Sequence, residues 1–236
     1  MRIRLRQVAL VAADLAPVES SIIDELGLEL CYRDPDVGVF GLKNALFPIG
    51  DKLLEVVSPM TGGTTAGRQL DKRNGDGGYM VILQVDDLDA MRSRIETHNV
   101  RVVFTAPGPG ITGLHLHPKD VGAAILSVDQ SERWDEWPWA GPTWRDHIAT
   151  RVVTDLVGVA MQSEHPAGTA NRWAAVLGRE VAEIGDQHHV PLDEGVLRFV
   201  PPGDDRGDGV CAVDMRAANG QVRSTTLCGV TINFVT

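Results

Sequence analysis

The sequence predicts an α+β fold of paired βαβββ modules arranged as two tandem halves, the fourth module degraded. Three observations lead there. A strand–helix–strand order that opens at residue 4 starts again at Gly78 and a third time near Val157. Within each unit the apolar residues change from alternation to helical spacing and back. The dipeptide Leu26–Gly27 closes the first helical stretch, and Leu177–Gly178 closes a matching one 151 residues later, as expected of internal duplication followed by drift.

The first unit begins with an alternating strand, RLRQVALVA (4–12). Asp14 caps the helical stretch LAPVESSIIDELG, which ends at Gly27, and three short strands are expected at LELCYRD, GLKNALFPIG and KLLEVVSP. The Gly-rich segment 62–78, GGTTAGRQLDKRNGDGG, reads as a solvated crossover, with Arg68, Lys72 and Arg73 as anchors for a substrate carboxylate or phosphate. In the second unit YMVILQV is a strand, Asp87 caps the helix LDAMRSRIETHN, and RVVFTAP is a strand. TGLHLHP and AAILSVD then form a hairpin turning at Lys119–Val121. The third unit runs from VGVAMQSEHPAGTANRWAAVLG to EGVLRFVPP. The fourth, GVCAVDMRAANGQVRSTTLCGVTINFV, has strand ends but no helix after Met215. The halves are drawn at residues 1–130 and 150–236, with a linker at 131–149 that holds four of the five tryptophans. Its rings are expected to pack the two halves together; the alternative is an aromatic wall for a planar ligand.

Bulk properties narrow the function. The chain of 236 residues is 43% hydrophobic and 23% charged, ordinary globular usage. A net charge of −10 without a basic stripe argues against a nucleic-acid partner. No run reaches 18 apolar residues and the amino terminus lacks a signal-peptide core, so no membrane partner and a cytoplasmic location are expected. Cys31, Cys211 and Cys228 have no CxxC spacing, which leaves neither a disulfide framework nor a structural zinc site.

Three stretches, LRQVALVAADL with its downstream LLEVVSP, GYMVILQVDDLDA, and HLHPKDVGAAILSV, together resemble the vicinal oxygen chelate superfamily. That superfamily includes glyoxalase I, methylmalonyl-CoA epimerase, extradiol dioxygenases and the bleomycin and fosfomycin resistance proteins. The last stretch is similar to the closing hairpin of methylmalonyl-CoA epimerases, and the match covers residues 4–130 well and 150–236 loosely. The resemblance implies a glyoxalase-like cup in which four inward side chains hold a divalent metal. Here those positions are Gln7, Glu55, Met80 and Ser127. Only Glu55 is the usual ligand, since a thioether and a hydroxyl replace stronger donors, so a four-ligand site is not expected there.

The histidines of LHLHPKD offer a substitute. Strand parity puts His115 and His117 on the face that carries Ile125 and Ser127. A set of Glu55, His115 and His117, helped by Gln7, suits Zn, Fe, Mn or Ni, and Glu55 beside the rings would raise the imidazole pKa values. The alternative is that one histidine caps the hairpin while the other lines a metal-free pocket. The cofactor is thus either none or one divalent metal. Glu55, His115 and His117 are the candidate catalytic residues, and Gln7, Gln84, Ser127 and Arg68 the candidate substrate contacts. With Gly158 and Arg198 at its ligand positions, the second half reads as structural, and His188–His189 as surface. The function expected is that of a lyase, isomerase or dioxygenase acting on a small oxygenated molecule in the first cup. A metal-free binding or resistance protein and a structural pseudo-enzyme are the alternatives, and a homodimer stays open.

Overall fold

The first strand shows how an alternating sequence becomes part of a curled sheet. In β1 (Ile3–Val11), Ile3 and Leu5 enter the main core while Arg4 and Gln84 pair on the opposite face. The register against β4 (Gly77–Val85) slips between Leu5 and Gln7, so Arg6 is the extra residue of a bulge. Beyond it the parity is reversed: Val8 and Leu10 face the core, Gln7 and Ala9 the other side. A bulge adds local twist and re-aims side chains, and this one sets Arg4, Arg6 and Gln7 over the same concave surface.

The structure, a computed structural model, describes residues 1–236. After β1 come α1 (Leu15–Leu26), β2 (Leu42–Ile49), β3 (Lys52–Pro59), α2 (Thr65–Arg73) and β4. They are followed by α3 (Leu88–Thr97), β5 (Val102–Gly108), β6 (Ile111–Leu116), the short α4 (Pro118–Val121) and β7 (Ile125–Ser131). These strands form one seven-stranded sheet in the order β2-β3-β1-β4-β7-β6-β5. The second sheet takes β8 (Val153–Gln162), α5 (Pro166–Leu177), β9 (Ala182–Ile184), β10 (Gln187–Pro191), β11 (Val196–Val200), β12 (Gly209–Ala217), β13 (Arg223–Leu227) and β14 (Val230–Val235). Its order is β13-β14-β12-β8-β11-β10-β9. Each sheet is centred on an antiparallel pair, β1–β4 or β8–β12, flanked by parallel neighbours. Paired modules of this kind make an α+β fold of two curled half-barrels.

The helices form where the capping pattern places them. Asp14 accepts from the Ala16 amide and Gly27 closes α1 in the left-handed region; Gly178 does the same for α5. Apolar faces of α1, α3 and α5 merge with the inner faces of both sheets into one core that includes Ile22, Met91, Trp173 and Phe199. The halves are also locked by charge, since Arg94 of α3 donates to the Val176 and Ala175 carbonyls at the end of α5.

Three expectations need correction. LELCYRD is not a strand; only Tyr32 bridges to Leu46, because Asp34 caps a 3-10 turn at Pro35–Phe40. The first module therefore has two strands after its helix. The crossover 62–78 contains α2, whose Thr64 cap accepts from the Gly67 amide, and Ala66 and Leu70 of α2 pack on Ala9, Val11 and Val57. Five flanking glycines, with Gly67 inside the helix itself, hid those few apolar contacts. The linker tryptophans do not join the halves: Trp137 and Trp144 bury against Leu46, Leu53, Ile82 and Ile111 inside the first cup. The fourth module, as expected, crosses from β12 to β13 without a helix.

The halves meet closely where β4 lies against β12. A Cβ at Gly78 would overlap the Val210 side chain and sit 2.8 Å from its carbonyl oxygen. Gly78→Ala is therefore expected to cost roughly 1–3 kcal/mol by overpacking, read as a lower urea midpoint. Gly62→Ala, whose Cβ meets nothing within 4 Å, is the control and should fall within about 0.5 kcal/mol of wild type.

Candidate functional site

The strand registers define three rows of side chains across the first concave face. Leu46, Glu55, Ala9, Met80 and Ile125 form one row from β2 to β7. Leu53, Gln7, Ile82, Ser127 and His115 form the next. Arg4, Gln84, Asp129 and Gly113 form the third. Strand pleating thus brings Gln7, Glu55, Gln84, His115 and Ser127 to one face, and leaves two of the expected residues off it. His117 lies beyond the end of β6, where its Nδ1 accepts from the Lys119 amide and caps α4. Arg68 lies on α2, donating to the Gly63 carbonyl and Thr65 hydroxyl.

Glu55 is 7% exposed and takes a hydrogen bond on each oxygen, from Asn44 Nδ2 at 2.7 Å and Gln7 Nε2 at 2.8 Å. The Gln7 carbonyl oxygen is used as well, accepting from the indole nitrogen of Trp137 at 2.8 Å. Burial raises the Glu55 pKa, and the two amide donors oppose the rise. Tyr79 is pushed up to about 12 by burial and then by the Glu55 charge. Both ends of the Gln84 amide are held by protein, the oxygen accepting from Arg4 Nε and the nitrogen donating to the Trp134 carbonyl.

A second carboxyl, absent from the sequence-based set, lies in the third row. Asp129 is 2% exposed, with its oxygens held by Ser127 Oγ at 2.5 Å and by the Trp139 indole nitrogen at 2.8 Å. Burial pushes its pKa up to about 7 against those two donors. Gly113 makes the space: a Cβ there would stand 2.8 Å from Asp129 Oδ1. The acid missing at Ser127 is thus present two residues later on the same face, a period-two shift that a position-by-position reading passes over.

His115 departs from expectation too. Its ring stands 5.5 Å from Phe104 and 6.3 Å from Phe40, which meet each other edge-on at 5.0 Å. Burial lowers its pKa to about 4, where a neighbouring carboxylate would have raised it. It lies four strands from Glu55 along the sheet, and no three His, Cys, Asp or Glu side chains converge as metal ligands. Glu55, His115 and His117 are therefore not a metal triad.

A metal does not fit the inherited positions either. Gln7 and Glu55 satisfy each other, Met80 offers only a soft sulfur, and the Ser127 hydroxyl donates to Asp129. Instead the linker fills this end of the cup. Trp137 is fully buried and Trp144 is 2% exposed, and the Arg6 guanidinium stands 5.1 and 5.5 Å from their ring centroids. Arg2 and Arg4 flank Trp134 at 4.3 and 4.5 Å. The alternating arginines of RIRLR are therefore a clamp for the tryptophans 130 residues downstream. Burial, with help from the Arg4 charge, lowers the Arg6 pKa to about 9.

The second cup is different. Arg198, at the position matching Glu55, is bidentate to Asp214 at 2.9 and 2.6 Å, and Asn233 donates to the same carboxylate at 2.8 Å. His189 pairs with Arg198 across the β10–β11 ladder and is half-buried, so it is no free surface residue.

No protein-family model matches the chain. Among characterised proteins, the ethylmalonyl-CoA/methylmalonyl-CoA epimerase of Cereibacter sphaeroides is 27% identical over 133 residues, covering 54% of this chain and 97% of that protein. The mitochondrial methylmalonyl-CoA epimerase of Mus musculus is 24% identical over 131 residues, 54% of this chain and 73% of that protein. Both relatives are isomerases by name. Among solved structures, a hypothetical protein from Staphylococcus aureus superposes over 99% of both chains with a TM-score of 0.73 at 14% identity. A methylmalonyl-CoA epimerase in complex with methylmalonyl-CoA and NH4+ covers 58% of this chain and 100% of its own, with a TM-score of 0.51 at 22% identity. No helix is long and apolar enough to cross a membrane. In fold, and in the sequence of its first half, the chain is similar to the vicinal oxygen chelate superfamily, with a closing hairpin like that of the methylmalonyl-CoA epimerases.

Proposed function

We propose that the first half handles a small oxygenated molecule by isomerase-type proton transfer, without a resident metal, and that Glu55 takes and returns the proton. The observation that carries this reading is Glu55 itself. It is a buried carboxyl at the superfamily's ligand position, held by two neutral amide donors and raised in pKa by its burial. A raised pKa brings a carboxyl closer to the strength a general base needs near neutrality. Asn44 and Gln7 fix its orientation, and Ala9 beside it in its own row, with Leu53 and Ile82 in the next, supplies an apolar bed. The epimerase relatives support this class of chemistry, in which a proton next to a carbonyl leaves and returns. On this reading the substrate takes the place of the Trp137 ring beside Gln7.

A second reading, sequestration of a small molecule without turnover, is favoured by one observation: the cup accommodates an aromatic ring and satisfies its polar edge. The two part on a single measurement. Incubation with acyl thioesters in D2O is expected to give deuterium next to the carbonyl with wild type, and about 100-fold less with Glu55→Gln, the range for loss of a proton-transferring group. Ligand-induced thermal shifts with no exchange in wild type would support sequestration and sink the isomerase reading.

A further inference from the structure

The polar cluster of the second cup is built around a floor of small residues. Gly158, Ala160 and Ala212 lie side by side on β8 and β12, under Arg198 and Asp214. A Cβ at Gly158 would meet Asp214 Oδ2 at 2.8 Å, so glycine there is what lets the carboxylate lie flat across the sheet. Asp214 takes the Nε and Nη2 side of the guanidinium, and Gln187 Oε1 stands 3.3 Å from Nη1. A guanidinium has five N–H donors; three are engaged here, leaving two on its outward edge.

The cluster is not sealed. The side chains of Arg198 and Asp214 are 17% and 10% exposed, against full burial of Trp137 in the first cup. Arg198, Asp214 and Asn233 line a cavity of about 550 Å³ together with Val222, Arg223 and Ser224. Two guanidiniums face one carboxylate in that wall, an excess of one positive charge. Arg223 is exposed, its charge 3.6 Å from the Phe234 ring centroid, and Val222 is 72% exposed beside it. A braced guanidinium with one free donor on Nη1 and one on Nη2 suits the two oxygens of a carboxylate, and bidentate pairing of this kind gives both orientation and affinity.

We propose that the second cup binds a small organic carboxylate, seated on the free edge of Arg198, with Asp214 and Asn233 as positioning residues, Arg223 as a rim charge and Val222 against the apolar body. Nothing in the reading of the first half requires this site. Its residues lie on the second sheet and the Trp-filled cup on the first, which makes the two separately testable.

The experiment titrates the full chain with sodium benzoate, and in parallel with inorganic phosphate, at matched ionic strength, and repeats the series at a higher salt concentration. It follows heat and the side-chain Nε–H resonance of Arg198. Saturable benzoate binding with a shifted Arg198 resonance is expected. Arg198→Lys, which keeps the charge and loses the fork, should bind roughly tenfold more weakly. Arg223→Gln, an exposed position that leaves the fold intact, should bind about threefold more weakly and with a shallower salt dependence. Glu55→Gln should bind as wild type does, which separates this site from the first cup. Failure to saturate by about 20 mM, far weaker than a useful site, overturns the proposal. So does benzoate binding undiminished in Arg223→Gln and Arg198→Lys, or phosphate binding as tightly as benzoate. If Arg198→Lys does not fold, the Arg223→Gln result and the wild-type resonance decide.

Discussion

Asp129→Asn is expected to be more stable than wild type above pH 7 and to lose the share of the pH dependence between pH 4 and 7 that the Asp129 carboxyl supplies. Burial lifts the Asp129 carboxyl from 3.8 to about 7 in the folded chain. A raised carboxyl favours the protonated fold: its contribution is complete below 3.8 and is lost as pH rises through 7. A shift of this size corresponds to on the order of 4 kcal/mol between the extremes. Asparagine keeps the geometry at no charge. Its oxygen accepts from the Trp139 indole and its amide donates to Ser127 Oγ, which the acid now receives from. Urea titrations at pH 5 and pH 8 measure the effect, and parallel pH profiles for the two proteins would show that Asp129 ionises elsewhere. Glu55 is raised in the same direction, so a slope of the same sign should remain.

Trp137→Ala is expected to destabilise the chain by about 3–5 kcal/mol, the cost of removing a large aromatic from a closed core. The indole is fully buried, supports the Arg6 guanidinium, and supplies the donor to Gln7. The vacancy is ring-shaped and has one acceptor on its wall, so added indole should raise the melting temperature of Trp137→Ala while leaving wild type unmoved. Rescue by benzene to the same extent would show that the Gln7 bond contributes nothing. An unrescued variant whose melting temperature equals that of wild type would mean that the ring is not held in the cup.

Much of the architecture was legible because the signals were local. Asp14, Gly27, Leu177 and Gly178 mark helix ends through backbone chemistry that acts within a few residues. The missing fourth helix followed from the short, Gly-interrupted link after Met215. What escaped depended on partners distant in sequence. Arg4 and Arg6 read as ordinary strand alternation until Trp134, Trp137 and Trp144 face them from 130 or more residues away. The bulge at Arg6 reverses strand parity, which no period-two pattern announces. Gln7 and Glu55 were assigned to the concave face correctly, but their mutual hydrogen bond, and the Asn44 amide that completes it, required the β2–β3 register. His117 misled because it stands one residue past the end of β6, where alternation no longer governs direction. Asp129 was missed for the opposite reason: it obeys the alternation, one step beyond the position being scanned.

The Trp137 plug has a thermodynamic consequence of its own. Because the ring is carried by the same chain, it acts as a ligand already attached to its receptor, at an effective concentration that for short tethers lies in the millimolar range. Any molecule entering the first cup competes with that tethered ring, so its observed affinity is its intrinsic affinity multiplied by the fraction of time the ring is out. Cutting the chain once between residues 131 and 136 would not free the ring, since Trp144 and the Arg6 stack hold the distal side. Selectivity then arises before any direct contact is made: only a guest that outbids an indole in the same pocket, flat, apolar, and with a donor for Gln7, registers at all.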